Sequence, residues 1–298
     1  MEVFEQAVSK GMMTVDYASA CLAEKRRRIV QSPVLSIREG MAASGAGRKV
    51  LKWLLSSGVA NDNSAFSATL IEFLVAEQLQ EYIWPWIRRS FLNAQAEGLG
   101  KAKAARHGAL MQLVVKEVEI TQSLDVAIAT LHRATQLLEE FPDKLRRDLL
   151  SPPGHYLLKR VIFDATCPPP SESAFETFVN LVPVIKEAST MSKIYMAQLS
   201  LKHPSRPEPS LALDLLRSFD KKGALETMTV AQRPSYIQLG LETAKLLLEN
   251  DQGADAAWVL DHLQTHCSKW LGLGDSKQVE QAKAEASSLR LLDSLSFA

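Results

Sequence analysis

An apolar residue returns every three to four positions along nearly the whole chain, and no stretch alternates convincingly with the period of two of a half-buried strand. Residues 234–250, PSYIQLGLETAKLLLEN, place Tyr236, Leu239, Gly240, Ala244, Leu247 and Leu248 on one helical stripe, punctuated by Asn250 and Gly253. The next run, 254–271, sets Ala256, Leu260, Leu263, Cys267 and Trp270 on a second stripe, ended by Gly272 and Gly274. Two amphipathic helices separated by a few turn residues form an antiparallel hairpin.

The rhythm recurs. Residues 64–78 and 81–95 read as one hairpin. Residues 103–120 and 123–141 read as a second, with Ser123 and Asp125 as start signals. VVKEVEI (114–120) has strand-like content, but strong helix formers flank it and make it helical. Residues 173–187 and 189–202 form a third pair whose first helix Pro183 bends or shortens, and 209–219 supply one more helix. Clusters at Pro142-Asp143, Ser151-Pro152-Pro153-Gly154, Pro168-Pro169-Pro170 and Pro204 to Pro209 read as loops, the middle two flanking a short helix at 155–165. The expected organisation is one helical-repeat array over 1–298. A seam at 166–172 divides it into 1–165 and 173–298.

Ser64-Ala65-Phe66 and Ser173-Ala174-Phe175 open two of these hairpins, each with a hydroxyl at the expected N-cap. They stand about three repeat units apart, taking the mid-thirties length of helix-hairpin repeats. With these features the chain resembles the pentatricopeptide and tetratricopeptide class of helical-repeat proteins. SAFSATLIEFLVAEQLQEYIWPWIRR resembles a degenerate pentatricopeptide unit, with an aromatic early in its first helix and a Leu-Ile pair four positions later. VFEQAVSKGMMTVDYASACL is similar to the end of one unit entering the next, and Tyr236-x-x-Leu239-Gly240 to the opening of a tetratricopeptide helix. Thr243 stands where that class has an aromatic, and the helix runs several residues longer. The resemblance implies an all-α, right-handed array of antiparallel helical hairpins, an α-solenoid. It assigns no base-reading positions.

Composition narrows the function classes. Hydrophobic residues make up 46% of the 298, enough for a sizeable core, and 34 Lys plus Arg balance 34 Asp plus Glu. A protein that grips nucleic acid through many phosphate contacts usually carries a basic excess, so DNA is not expected. Cys21, Cys167 and Cys267 are too few and too scattered for a disulfide framework or a zinc knuckle and suit a reducing compartment. No apolar run approaches the roughly 20 residues of a bilayer span. The N-terminal stretch lacks a secretory core, so an intracellular setting is expected, cytoplasm or mitochondrion; Glu2, Glu5 and Asp16 spoil a simple transit peptide, so a mitochondrial location would need a further presequence.

Chemical motifs mostly dissolve on inspection. GMAASGAGRKV (40–50) fails the phosphate-loop pattern because Ala46 follows Gly45 and Val50 follows Lys49; a turn before a helix near Arg48 accounts for it. His262 and His266 lie one turn apart beside Cys267, but Leu263 occupies the place of the glutamate in HExxH. Surface histidines beside a buried thiol are expected. His107, His132, His155 and His203 have no matched acid or nucleophile motif, and no catalytic residue, cofactor or metal ligand is assigned. Lys25-Arg26-Arg27-Arg28 fits a helix end, complementing the carbonyl dipole. LKWLL (51–55) has LxxLL spacing, which ordinary core helices share.

One stretch stands apart: Trp84-Pro85-Trp86 followed by Arg88-Arg89. Pro85 belongs in the first turn of a helix, where its missing N–H costs little. Ile83, Ile87 and Trp86 then face the hairpin partner. Trp84 and Arg88 form a separate ridge, suited to an intramolecular cation–π contact or to a ligand. Trp84, Arg88 and Arg89 are therefore the candidate partner-binding residues. The chain is expected to be a non-enzymatic scaffold or assembly factor holding a protein partner on a concave helical surface. The alternative is a pentatricopeptide-like RNA-binding factor in organellar RNA processing or translation.

Overall fold

The computed structural model describes residues 1–32, 34–58, 64–97, 108–164, 166–187, 189–222, 225 and 228–267. Among them are fourteen α-helices, one 3-10 helix and no strand. Residues Met1–Ala188 cluster into one compact unit and Ser189–Ala298 into another. The first unit contains α1 (Glu2–Ser9), α2 (Val15–Gln31), α3 (Ile37–Ser44), α4 (Ala46–Ser57) and α5 (Ser64–Ala76). A 3-10 turn (Gln80–Ile83) then leads into α6 (Trp84–Glu97), α7 (Ala109–Thr121), α8 (Leu124–Leu137), α9 (Asp143–Phe163) and α10 (Glu172–Ile185). The second unit contains α11 (Thr190–Leu201), α12 (Ser210–Lys222), α13 (Arg233–Glu249) and α14 (Gly253–Cys267).

The first unit is built around α5. Its sequence, SAFSATLIEFLVA, is apolar on nearly every side, as a helix enclosed by others must be. Phe66, Leu70, Ile71, Phe73 and Leu74 are all fully buried. The helix packs most extensively against α7, and also against α2, α3 and α4. This redraws the first expected hairpin: α5 is the unit's central helix, and its chief partner is α7 rather than α6, its neighbour in sequence. The cause is local. Gln78 adopts a left-handed φ of 59°, and the Leu79 N–H donates to the Leu74 carbonyl at 2.7 Å. A 3-10 turn then intervenes before α6 begins.

The second expected hairpin forms. α7 and α8 are joined through Gln122 (φ 53°) and Ser123 and pack along one another, and VVKEVEI is helical. The final one forms too, with α13 and α14 joined through Asn250–Gln252, Asp251 taking a φ of 59°. Gly240 permits their close approach, since a Cβ there would lie 2.8 Å from the Leu263 Cδ1. Tyr236, Leu239, Ala244 and Leu247 are buried along this seam as the stripe requires, but Leu248 and Leu260 face solvent. Trp270 lies outside the described residues.

Three expectations about punctuation are corrected. Ser151–Gly154 is not a loop flanking a short helix at 155–165: α9 runs unbroken through it from Asp143 to Phe163. Pro152 and Pro153 remove two N–H donors from the ladder, yet Pro153, Gly154, Leu157 and Leu158 are buried, so packing holds the helix together. Gly154 serves contact, not turning: a Cβ there would sit 2.5 Å from the Ile185 Cγ2 of α10. Ser173 is not an N-cap, because Ser171 accepts the Ala174 N–H and caps α10 instead. The Lys25–Arg28 run does more than complement a helix end. Arg26 grips the buried Glu72 of α5 through two hydrogen bonds of 3.0 and 2.9 Å, while Arg27 and Arg28 both pair with Glu24. The segment Pro168–Pro170 lies within the first unit, beside Ser171, whose N–H donates to Asp125 Oδ1 of α8 at 2.8 Å. No helix among the described residues is long and apolar enough to cross a membrane.

Candidate functional site

The 3-10 turn delivers the chain to α6 with Pro85 as the helix's second residue, where its missing N–H has no intrahelical acceptor to lose. From there α6 divides by periodicity. Ile83, Ile87 and Phe91 are buried at four-residue spacing, and the Phe91 ring meets Phe141 edge-on, centroids 6.5 Å apart. The opposite face carries Arg88, Arg89, Leu92 and Asn93, all exposed.

Trp84 is not on the exposed ridge. It is buried, and the cation above its ring is Arg133 of α8, 4.2 Å from the ring centroid, rather than Arg88. The same guanidinium holds Glu81 with two bonds of 2.5 and 3.0 Å, which keeps that carboxyl below its ordinary pKa. Arg88 and Arg89 have no ion-pair partner among the described residues. With Trp84, Pro85, Leu92, Arg133 and Leu137 they line an open groove of about 610 Å³ between α6 and α8, with Glu81 at its edge. The three candidate residues thus line one groove. The tryptophan is its wall, and the two arginines are its uncommitted charges.

A second groove, also of about 610 Å³, lies against the same 3-10 turn. Tyr82, next in sequence to Glu81, lines it with Leu79, and α4 supplies Arg48, Lys52 and Leu55. Leu51, Trp53 and Leu54 of the LxxLL-like segment are core residues, and Leu55 alone of its leucines is exposed.

Two other concave places among the described residues hold the chain's own charges. Between α2, α5 and α7, Arg26 is bound to Glu72, and Lys116 pairs with Glu119 at 2.8 Å. The glycine-rich segment is the turn between α3 and α4, with Gly45 left-handed at φ 56°. The N-terminus of α4 receives the Glu77 carboxylate, which accepts the Gly47 and Arg48 N–H groups at 2.8 Å each. That carboxylate occupies the place a phosphate would take, although burial pushes its pKa up despite the two bonds.

The histidine pair is also rearranged. His262 is buried, not superficial, with its Nε2 2.8 Å from the Tyr236 hydroxyl and its ring stacked on Trp258. His266 is exposed, and the two ring centroids lie 4.7 Å apart. Cys267 is buried as expected, and burial pushes its thiol up to about 11.

Two features of the first unit escaped the sequence reading. Glu117 of α7 is buried, accepts the Thr130 hydroxyl at 2.9 Å, and has its pKa raised to about 8 by burial. Arg133 and Leu137, one turn apart on α8, repeat the spacing of Arg88 and Leu92 on α6. That shared Arg-x-x-x-Leu pattern was the available signal for the groove. No protein-family model matches the chain, and neither does any curated protein or solved structure.

Proposed function

We propose that the chain is a non-enzymatic binding scaffold that holds a segment of a protein partner on its helical surface. The observation that carries this reading is the α6–α8 groove, where exposed Leu92 and Leu137 sit among arginines with uncommitted charge. Half-exposed leucines gain free energy when a partner covers them, and cations at the rim fix orientation. The proposal extends to architecture. The hairpins α7–α8 and α13–α14 are read as degenerate units of a right-handed array of the pentatricopeptide or tetratricopeptide kind.

A photo-crosslinking amino acid at Leu92, in the full chain expressed in cells, tests this. Protein adducts at Leu92 that disappear with Leu137→Asp, and are missing when the crosslinker sits at Leu248, are the expected result. Adducts that ribonuclease digests would replace the reading with RNA binding.

A further inference from the structure

We infer that the surface on both sides of the 3-10 turn Gln80–Ile83 takes an acidic amphipathic protein segment, its carboxylates on Arg88, Arg89 and Lys52 and its apolar side chains against Leu92, Leu137, Tyr82 and Leu55. The inference rests on the scaffold reading above and names the chemistry of what is held.

Charge is the first argument. Most arginines described in the first unit are matched by a carboxylate: Arg26 by Glu72, Arg27 and Arg28 by Glu24, Arg133 by Glu81, and Arg160 by Asp164. Arg38, Arg48, Arg88 and Arg89 have no ion pair among the described residues, and the last three all line the two grooves. Lys52, on the wall of the α4 groove, likewise has no ion pair among the described residues. Unpaired lysines such as Lys10 and Lys144 lie elsewhere among the described residues, but three of the four unpaired arginines of this unit line these two grooves.

Apolar exposure coincides with that charge. Leu55, Tyr82 and Leu92 are 63%, 51% and 50% exposed. Covering each such half-exposed side chain contributes on the order of 1 kcal/mol. The grooves are adjacent because Glu81 lines one and Tyr82 the other. A segment crossing the turn therefore meets exposed apolar side chains and unpaired cations in each groove.

A carboxylate partner is favoured over a phosphate chain by the site itself. Glu81 already binds Arg133 with both oxygens in the α6–α8 groove, showing the pairing that Arg88 and Arg89 lack. A single strand of nucleic acid stacks successive bases on aromatic faces. Trp84 is buried with Arg133 over its ring, which leaves Tyr82 as the one exposed aromatic lining the two grooves.

The test is fluorescence anisotropy of the full chain with three labelled probes: an amphipathic peptide of glutamate and leucine, its lysine counterpart, and oligouridylate. The glutamate peptide should bind, more weakly as salt rises, and R88E/R89E should weaken it about tenfold. Both arginines are exposed, so an unchanged Tm for that variant keeps the comparison fair. Leu92→Asp should also weaken the glutamate peptide. Failure of that peptide to bind, or indifference to R88E/R89E, overturns the inference. Preference for the lysine peptide, abolished by Leu92→Asp, overturns the acidic chemistry and leaves the protein-binding reading standing. Binding of oligouridylate alone, lost in R88E/R89E, overturns both.

Discussion

The Arg133 guanidinium of α8 lies 4.2 Å from the centroid of the Trp84 ring of α6, and from that position grips Glu81 in the turn just before α6. One side chain thus fastens the start of α6 to α8 and forms an end of the groove between them. Arg133→Ala should cost about 1 kcal/mol: a cation–π contact contributes about 0.5–1 kcal/mol, and the exposed ion pair adds at most a similar amount. Urea denaturation of R133A, Trp84→Leu and the double variant measures the coupling. Losses that simply add would show that ring and guanidinium touch without stabilising one another.

Glu117 makes stability depend on pH. Buried between α7 and α8, it titrates at about 8 instead of its ordinary 4.5, so at neutral pH the folded chain holds a proton that the unfolded chain releases. A raised folded pKa favours folding fully below the unfolded pKa. The advantage is lost as pH rises from about 4.5 through about 8. Glu117→Gln keeps the shape and removes the titration. The Tm of E117Q minus that of the natural chain should be larger at pH 8 than at pH 5, and a pH-independent difference would contradict the assignment.

The helices were legible because periodicity is a local property. The last hairpin forms close to its expected bounds as far as the described residues reach, and among them Leu248 and Leu260 of the expected stripes face solvent. What periodicity conceals is the partner of each face. Nothing near α5 in sequence says that α7 lies against it, although a helix apolar on every side was a warning that no two-helix hairpin could bury it. The proline run at 152–153 misled for a related reason. Breaking signals are weighed against local propensity alone, while the buried surface of Pro153, Gly154, Leu157 and Leu158 keeps α9 continuous. His262 looked superficial because its hydroxyl partner, Tyr236, lies on the preceding helix, 26 positions away. Trp84, Arg88 and Arg89 line one groove, but periodicity sets Trp84 beside Arg88 of its own helix, whereas the cation above its ring comes from α8.

Gln78 closes α5 in the left-handed region at φ 59°, a conformation that costs a residue with a Cβ roughly 1 kcal/mol or more. Glycine there avoids the strain, although it adds conformational entropy to the unfolded chain. The Gln78 side chain is exposed, so little packing is lost. Gln78→Gly should therefore raise stability by up to about 1 kcal/mol, read as a higher urea midpoint with an unchanged slope. A lower midpoint would mean that the glutamine side chain stabilises the turn.

Gly154 offers the sharpest separation of propensity from packing. In an open helix, glycine to alanine gains about 1 kcal/mol. Here the added methyl would meet Ile185 Cγ2 at 2.5 Å and Cδ1 at 2.7 Å, and Ile185 is both β-branched and buried, so it cannot step aside cheaply. Overpacking of this kind costs about 1–3 kcal/mol, so Gly154→Ala should lower the Tm of the natural chain. In an Ile185→Ala background the obstruction is gone, and the same substitution should become stabilising by up to about 1 kcal/mol. The sign reversal is the measurement that matters: G154A harmful in both backgrounds would locate the need for glycine in the α9 backbone beside Pro152 and Pro153, not in its contact with α10.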